Sequence, residues 1–130
     1  MAPKAKILII DDDPEFVEAI MNLLTAQNYE AVSAKNSSEG REKVRLESPD
    51  LILLDLMMES HDAGFLLAKD LKADPVYKKI PVLMLTAVGT VTGYKFSMEQ
   101  DGYWMKTDDF IEKPVTPEVL LGRIEKALGK

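Results

Sequence analysis

The chain contains no cysteine and a single histidine, His61, and these two shortages exclude several kinds of site. Without cysteine, neither disulfides nor thiolate metal sites can form. One histidine cannot build a multi-histidine metal site within one chain. Any metal ion that this protein holds by itself would therefore be bound through oxygen atoms.

Basic residues are also few compared with acidic ones. The 16 lysines and arginines face 22 aspartates and glutamates, which gives a formal net charge of −6. Nucleic acids and anionic membranes both attract basic surfaces, so we expect no direct contact with either. The aliphatic run at residues 7–10 is too short for a signal-peptide core or a membrane span. We therefore expect a cytoplasmic protein.

Short aliphatic runs alternate with longer segments of helical period along the 130 residues. This alternation predicts βαβ units around a parallel sheet. The length suits one domain over residues 1–130, with no output domain. Strands are predicted at residues 6–10, 29–34, 51–54, 81–85 and 109–112. Helices are predicted after Asp13-Pro14, from a capping box at 36–39, roughly at 64–73, around 94–100 and after Thr116-Pro117.

Polar side chains follow four of these predicted strands. Asp11 and Asp12 follow the first strand, Asp55 follows the third, Thr86 follows the fourth, and Lys113 follows the fifth. In an open α/β sheet, the carboxyl ends of the strands form the ligand crevice. We therefore expect these side chains to converge at one edge of the sheet.

The chemistry of this set points to a phosphoryl group. Three neighbouring carboxylates repel one another, and a hard cation relieves that repulsion. With oxygen ligands alone, Mg²⁺ fits best. A lysine and a hydroxyl donor beside the metal complete the parts that bind a transferring phosphoryl group. One aspartate would then act as a nucleophile and form an acyl phosphate.

Four sequence blocks resemble the signature blocks of response-regulator receiver domains, and they occur in the same order: ILIIDDD at 7–13, LLDLMM at 53–58, LTA at 85–87 and EKP at 112–114. The resemblance implies a doubly wound α/β fold, (βα)5, with a five-stranded parallel sheet of flavodoxin-like order 2-1-3-4-5. It also implies a signalling switch of a two-component system. The expected partners are a sensor histidine kinase or phosphotransfer protein and a downstream protein target. Such a domain catalyses only its own phosphorylation and dephosphorylation, so we do not expect a metabolic enzyme.

The resemblance also implies a role for each matching residue. Asp55 would be the phosphoacceptor, and Thr86 and Phe110 would be the switch residues. The Mg²⁺ ligands would be Asp11, Asp12, Asp55 and the backbone carbonyl of Met57, with Asp12 binding more directly than Asp11. Lys113 would pair with the phosphate, and its peptide bond to Pro114 would be cis.

Two segments depart from the family pattern. The loop at 59–64 lacks the usual proline and is one residue longer, and the segment from 86 to 113 is several residues longer. Trp104 and Tyr103 lie in the longer segment, where they would either bind a partner or pack the loop. An exposed stripe on the last helix would support a homodimer. Met57 and Val88 are apolar and cannot orient an attacking water, which predicts a long-lived phosphate.

Other functions remain open from the residues alone. A receiver fold could serve as an interaction module that needs no phosphorylation, and an aspartyl-nucleophile phosphatase would share the acidic motif. The known phosphatases of that type have threonine or valine at the position that Glu15 occupies in this chain. A calcium loop is rejected because Phe16 occupies the position that requires glycine.

Overall fold

A computed structural model describes residues 3–55, 63–86, 109–112 and 115–129. The strands are β1 (Lys6–Ile10), β2 (Glu30–Ala34), β3 (Leu51–Asp55), β4 (Val82–Thr86) and β5 (Asp109–Glu112). The helices within the described ranges are α1 (Pro14–Ala26), α2 (Ser37–Glu47), α3 (Ala63–Ala73) and α4 (Pro117–Ala127).

The five strands form one sheet in the order β2-β1-β3-β4-β5, and every pairing is parallel. This result confirms the predicted fold class and strand order. Parallel neighbours require crossover connections, and the helices between the strands provide them. The helix predicted around 94–100 lies outside the described residues.

Small shifts at strand boundaries have local causes. Tyr29 was predicted to begin the second strand, but its amide donates to the carbonyl of Leu24 at 2.9 Å and so closes the end of α1. Pro81 was predicted to begin the fourth strand. It has no N–H to donate and joins the ladder through its carbonyl, which accepts from the amide of Ile52 at 2.9 Å.

The core has two layers because alternate residues of each strand face opposite sides of the sheet. In β1, Leu8 and Ile10 face α2 and α3, whereas Ile7 and Ile9 face α1 and α4. The first layer adds Val44, Ile52, Leu54, Leu67, Ala68, Leu71, Val82 and Met84. The second adds Ile20, Leu24, Leu51, Leu53, Leu83, Leu85, Leu120 and Ile124. Helices on both faces of the sheet leave its carboxyl edge as the place for a polar site.

Three helices begin at the side chains that the sequence predicts as N-caps. Asp13 accepts from the amides of Glu15 and Phe16, Asn36 accepts from the amide of Glu39, and Thr116 accepts from the amide of Val119. Two of the caps, Asp13 and Asn36, lie close in sequence to the carboxyl ends of β1 and β2. The caps therefore fix the first turns of α1 and α2 beside that edge.

Candidate functional site

Three aspartates meet at the carboxyl edge of the sheet. Asp55 is the last residue of β3, and Asp11 follows β1, whose Ile10 is paired with Leu54. The two strands therefore deliver Asp11 and Asp55 side by side, and Asp12 follows directly. One carboxylate oxygen from each of the three lies within 4.8 Å of the others. The predicted convergence of Asp11, Asp12 and Asp55 is thus present in the structure.

The three carboxylates differ in burial. Asp11 is 2% exposed and Asp55 is 8% exposed, whereas Asp12 is exposed. The carboxylate of Asp11 accepts a hydrogen bond from the amide of Asp13 at 2.9 Å. Asp13 also caps α1, so the positive end of that helix lies next to the cluster. The site is therefore open on the Asp12 side, whereas the amide of Asp13 holds the carboxylate on the Asp11 side.

Electrostatics makes this cluster suited to a cation. Two ionised carboxylates 4.8 Å apart repel by about 1 kcal/mol in water and by about 3 kcal/mol at an effective dielectric constant of 20. Oxygen donors alone favour a hard cation such as Mg²⁺. Two oxygens bound to one Mg²⁺ are at most about 4.2 Å apart, and Mg²⁺ usually keeps several waters. The residues fit this ion if one or two carboxylates bind directly and the remainder through water.

Some of the other predicted site residues lie within the described part of the chain, and others do not. Thr86 ends β4, directly after Leu85, which is paired with Asp55. Phe110 lies in β5, paired with Met84. These positions are at and below the same edge, and the switch roles of both residues stay predictions. Met57, Lys113 and Pro114 lie outside the described residues, so their roles stay predictions as well.

Comparison with known proteins identifies the family. A family model described as the response regulator receiver domain matches residues 7–125. The chain belongs to this family. Receiver domains of response regulators act as signalling switches in two-component systems and are not metabolic enzymes. Their partners are histidine kinases and downstream effectors, and they generally bind Mg²⁺ at an acidic pocket.

Two curated relatives and one solved structure illustrate the similarity. The phosphate regulon transcriptional regulatory protein PhoB of Pseudomonas aeruginosa is 36% identical over 128 residues, which cover 95% of this chain and 52% of PhoB. The DNA-binding dual master transcriptional regulator RpaA of Synechocystis is 35% identical, with 96% of this chain and 49% of RpaA covered. The signal receiver domain of a histidine kinase from Syntrophus aciditrophicus has a TM-score of 0.81 at 31% identity, with 95% of this chain and 89% of that chain covered.

This receiver chain spans about half the length of the curated relatives it matches. What those longer proteins do as a whole is therefore a property of their own chains. No helix among the residues that the structure describes has the length and apolar character needed to cross a membrane.

A groove of about 620 Å³ begins at the acidic cluster of this receiver and runs between α1 and the end of β2. Asp11 and Asp12 line one end, and Glu39 of α2 lines it as well. The walls are largely apolar and come from residues of α1 and β2, among them Pro14, Val17, Met21 and Ala34. Glu39, in the first turn of α2, therefore lines the same groove as two aspartates of the cluster.

The sequence did not reveal one contact of the site. The amide of Asp11 donates to the backbone carbonyl of Ala34, the last residue of β2, at 3.0 Å. Any residue offers such a carbonyl, so the amino-acid type at position 34 carries no signal. Only the register of β1 against β2, which pairs Ile10 with Ala34, makes the bond predictable.

Proposed function

We propose that this receiver accepts a phosphoryl group on Asp55, with Mg²⁺ held by the acidic cluster, from a histidine kinase or a phosphotransfer protein. The phosphorylated form then changes conformation and controls a protein partner. The observation that supports this proposal is the convergence of Asp11, Asp12 and Asp55 within 4.8 Å at the carboxyl edge of the sheet. The family to which the chain belongs supports it independently.

The proposed transfer needs few protein groups. A carboxylate oxygen of Asp55 attacks the phosphorus atom, and the bond from phosphorus to the donor's imidazole nitrogen breaks. The bonding pair leaves with that nitrogen, and the product on Asp55 is an acyl phosphate. No general base is needed because the carboxylate attacks in its ionised form. A bound Mg²⁺ would neutralise charge on the transferring oxygens.

The chain's own residues hold this arrangement together. Asp11 and Asp12 would hold the cation, joined by the backbone carbonyl of Met57. The hydrogen bond from the amide of Asp13 orients the carboxylate of Asp11. By the family resemblance, Lys113 would pair with the phosphate and Thr86 would move onto it. Phe110 would change its burial as the switch operates.

The test is the intact mass of the protein after incubation with acetyl phosphate and Mg²⁺. We expect one phosphoryl adduct on the parent and none on Asp55→Asn. Asp70→Asn is the matched control because it makes the same change at an exposed position of α3. It should load like the parent. Loading of the Asp55→Asn variant to the parent's level would refute the assignment of Asp55.

The same assay separates the alternatives. A folded parent that takes up no phosphate in Mg²⁺ would favour a phosphorylation-independent interaction module. Steady turnover of a phosphate ester would favour a small phosphatase, whereas one stoichiometric loading excludes it. We also expect the phosphate to be long-lived, because Met57 and Val88 offer no polar group to orient water. A half-life of seconds in Mg²⁺ would contradict that expectation.

The proposed partners are proteins. The net charge of −6 disfavours binding to nucleic acid. We also propose that the protein meets its kinase partner in the cytoplasm. RpaA is described as DNA-binding, and that description concerns a protein about twice the length of this match. A gel-shift measurement of the chain with duplex DNA tests the point, and we expect no shift at physiological salt.

A further inference from the structure

The first turn of α2 is joined to the acidic cluster through the end of β2. The amide of Asp11 donates to the carbonyl of Ala34 at 3.0 Å, and both residues are 2% exposed. Because Ile10 is paired with Ala34, this bond lies just past the last residue of β1. The position of Ala34 therefore limits where the backbone of Asp11 can lie.

Two side chains at the start of α2, those of the N-cap Asn36 and of Glu39, fix the residues that follow Ala34. The amide of Glu39 donates to the side-chain oxygen of Asn36 at 2.8 Å. The amide of Lys35 donates to a carboxylate oxygen of Glu39 at 3.3 Å. We call Asn36 and Glu39 the α2 cap. The cap holds both residues that connect Ala34 to the helix.

The first turn of α2 also lies very close to β1. A Cβ atom built on Gly40 would lie 2.8 Å from Cδ1 and 3.1 Å from Cγ2 of Ile10, so the helix backbone is close to that side chain. Ile10 directly precedes Asp11 in the chain. Two sets of contacts thus connect the first turn of α2 to Asp11. One is the hydrogen bond to Ala34, and the other is the packing of Gly40 against Ile10.

From these contacts we propose that Asn36 and Glu39 are positioning residues for the metal-binding pair Asp11 and Asp12. This inference rests on the proposed function, because it concerns Mg²⁺ at the same cluster. Partners that hold metal ligands in place typically change metal affinity by about 10- to 100-fold when they are lost. The α2 cap does not touch the metal ligands themselves and acts on Asp11 through a backbone hydrogen bond. We therefore expect the lower end of that range, a loss of Mg²⁺ affinity of about tenfold.

The alternative is that the cap only stabilises its own helix. Thr116 provides a matched control because it caps α4 with a side-chain oxygen in the same way. Thr116→Ala removes an equivalent cap on the other face of the sheet, where α4 packs with α1. If general loss of stability weakened Mg²⁺ binding, then both alanine variants would weaken it alike.

The experiment measures the Mg²⁺ dissociation constant of the full chain by titration calorimetry. We expect Asn36→Ala to weaken binding about tenfold, whereas Asn36→Ser restores it because the hydroxyl is again a cap acceptor. Thr116→Ala should bind like the parent. In the metal-free protein, the amide of Asp11 should exchange with solvent faster in Asn36→Ala than in Thr116→Ala.

Glu39 lines the same groove as Asp11 and Asp12, so its charge must be separated from its hydrogen bond. Glu39→Gln keeps an oxygen acceptor for the amide of Lys35 and removes the charge. Glu39→Ala removes both. Positioning predicts that the alanine variant binds Mg²⁺ more weakly than the glutamine variant. Equal losses in the two variants would assign the effect to charge and overturn the role of Glu39.

The outcomes keep this inference distinct from the proposed function. If the parent binds Mg²⁺ and Asn36→Ala binds it equally well, the positioning role is wrong and the proposed function stands. An equal loss in Thr116→Ala would also overturn the positioning role. If the folded parent binds no Mg²⁺ at all, the proposed function fails and the inference fails with it.

Discussion

For the substitution Gly40→Ala, the contact between α2 and β1 predicts the opposite effect on stability from helix propensity. Gly40 is buried in α2, and an added Cβ would meet Ile10 at 2.8 Å, closer than carbon atoms normally approach. Propensity alone says that Gly40→Ala should stabilise the helix by about 1 kcal/mol. The structure says that the new methyl group must displace a side chain of the core.

The two effects can be compared in magnitude. Ile10 is fully buried, so moving its side chain disturbs the packed layer between the sheet and α2. Inserting one extra carbon into such a core typically costs about 1–3 kcal/mol. Cγ2 at 3.1 Å lies close to the backbone of Ile10 and cannot swing away as freely as Cδ1. After the propensity gain of about 1 kcal/mol is subtracted, we expect no net gain in stability and a loss of up to about 2 kcal/mol.

Gly122 is the matched control. It is exposed in α4, and nothing lies within 4 Å of the Cβ that alanine would add. Gly122→Ala should therefore stabilise the protein by about 0.5–1 kcal/mol. Urea unfolding measures both variants, and thermal melts should show shifts of about 3–5 °C per kcal/mol in opposite directions.

One result would refute this reasoning. If Gly40→Ala gains as much stability as Gly122→Ala, then Ile10 moves aside without cost. The close approach of α2 would then be no constraint on β1. The route from α2 to the acidic cluster through Ile10 would be lost, and only the route through Ala34 would remain.

Two further variants test the electrostatics. With a chelator present to remove Mg²⁺, Asp12→Asn should raise the free energy of unfolding by about 1 kcal/mol, because it removes charge repulsion at an exposed position. With Mg²⁺ present, the variant should lose most of the stabilisation that the ion gives the parent. Equal unfolding curves for the two proteins in both conditions would contradict this. Burial, with a smaller contribution from Glu125, raises the pKa of Tyr29 above its ordinary value of 10.0. Its contribution to stability is therefore complete below pH 10.0 and is lost as the pH rises through the raised pKa. Tyr29→Phe should flatten this alkaline loss in urea unfolding, and an unchanged slope would contradict it.

The sequence predicted the fold well because the strands of this protein are unusually clear. In β3, each residue from Leu51 to Leu54 is fully buried, and an uninterrupted aliphatic run is typical of a strand covered on both faces. The site followed from the same pattern, since a polar residue that ends such a run must lie at the edge of the sheet. Asp11, Asp12 and Asp55 were predicted together for that reason.

The contacts between elements could not be predicted in the same way. The bond from Asp11 to Ala34 depends on strand register, and the approach of Gly40 to Ile10 depends on how α2 docks. Even the predicted capping box differs in detail. Its glutamate, Glu39, accepts from the amide of Lys35, one residue before the expected amide of Asn36. Such features arise from tertiary packing, which local patterns do not encode.

The acidic cluster lies at the ends of two strands that are packed on both faces. All four aliphatic residues before Asp11 and all four before Asp55 are fully buried, and each contributes about 1.5–3 kcal/mol. Repulsion between two buried carboxylates, about 3 kcal/mol, is small beside that total. The strands therefore cannot separate to relieve the repulsion. A cation bound to the cluster would relieve the repulsion without any movement of the strands.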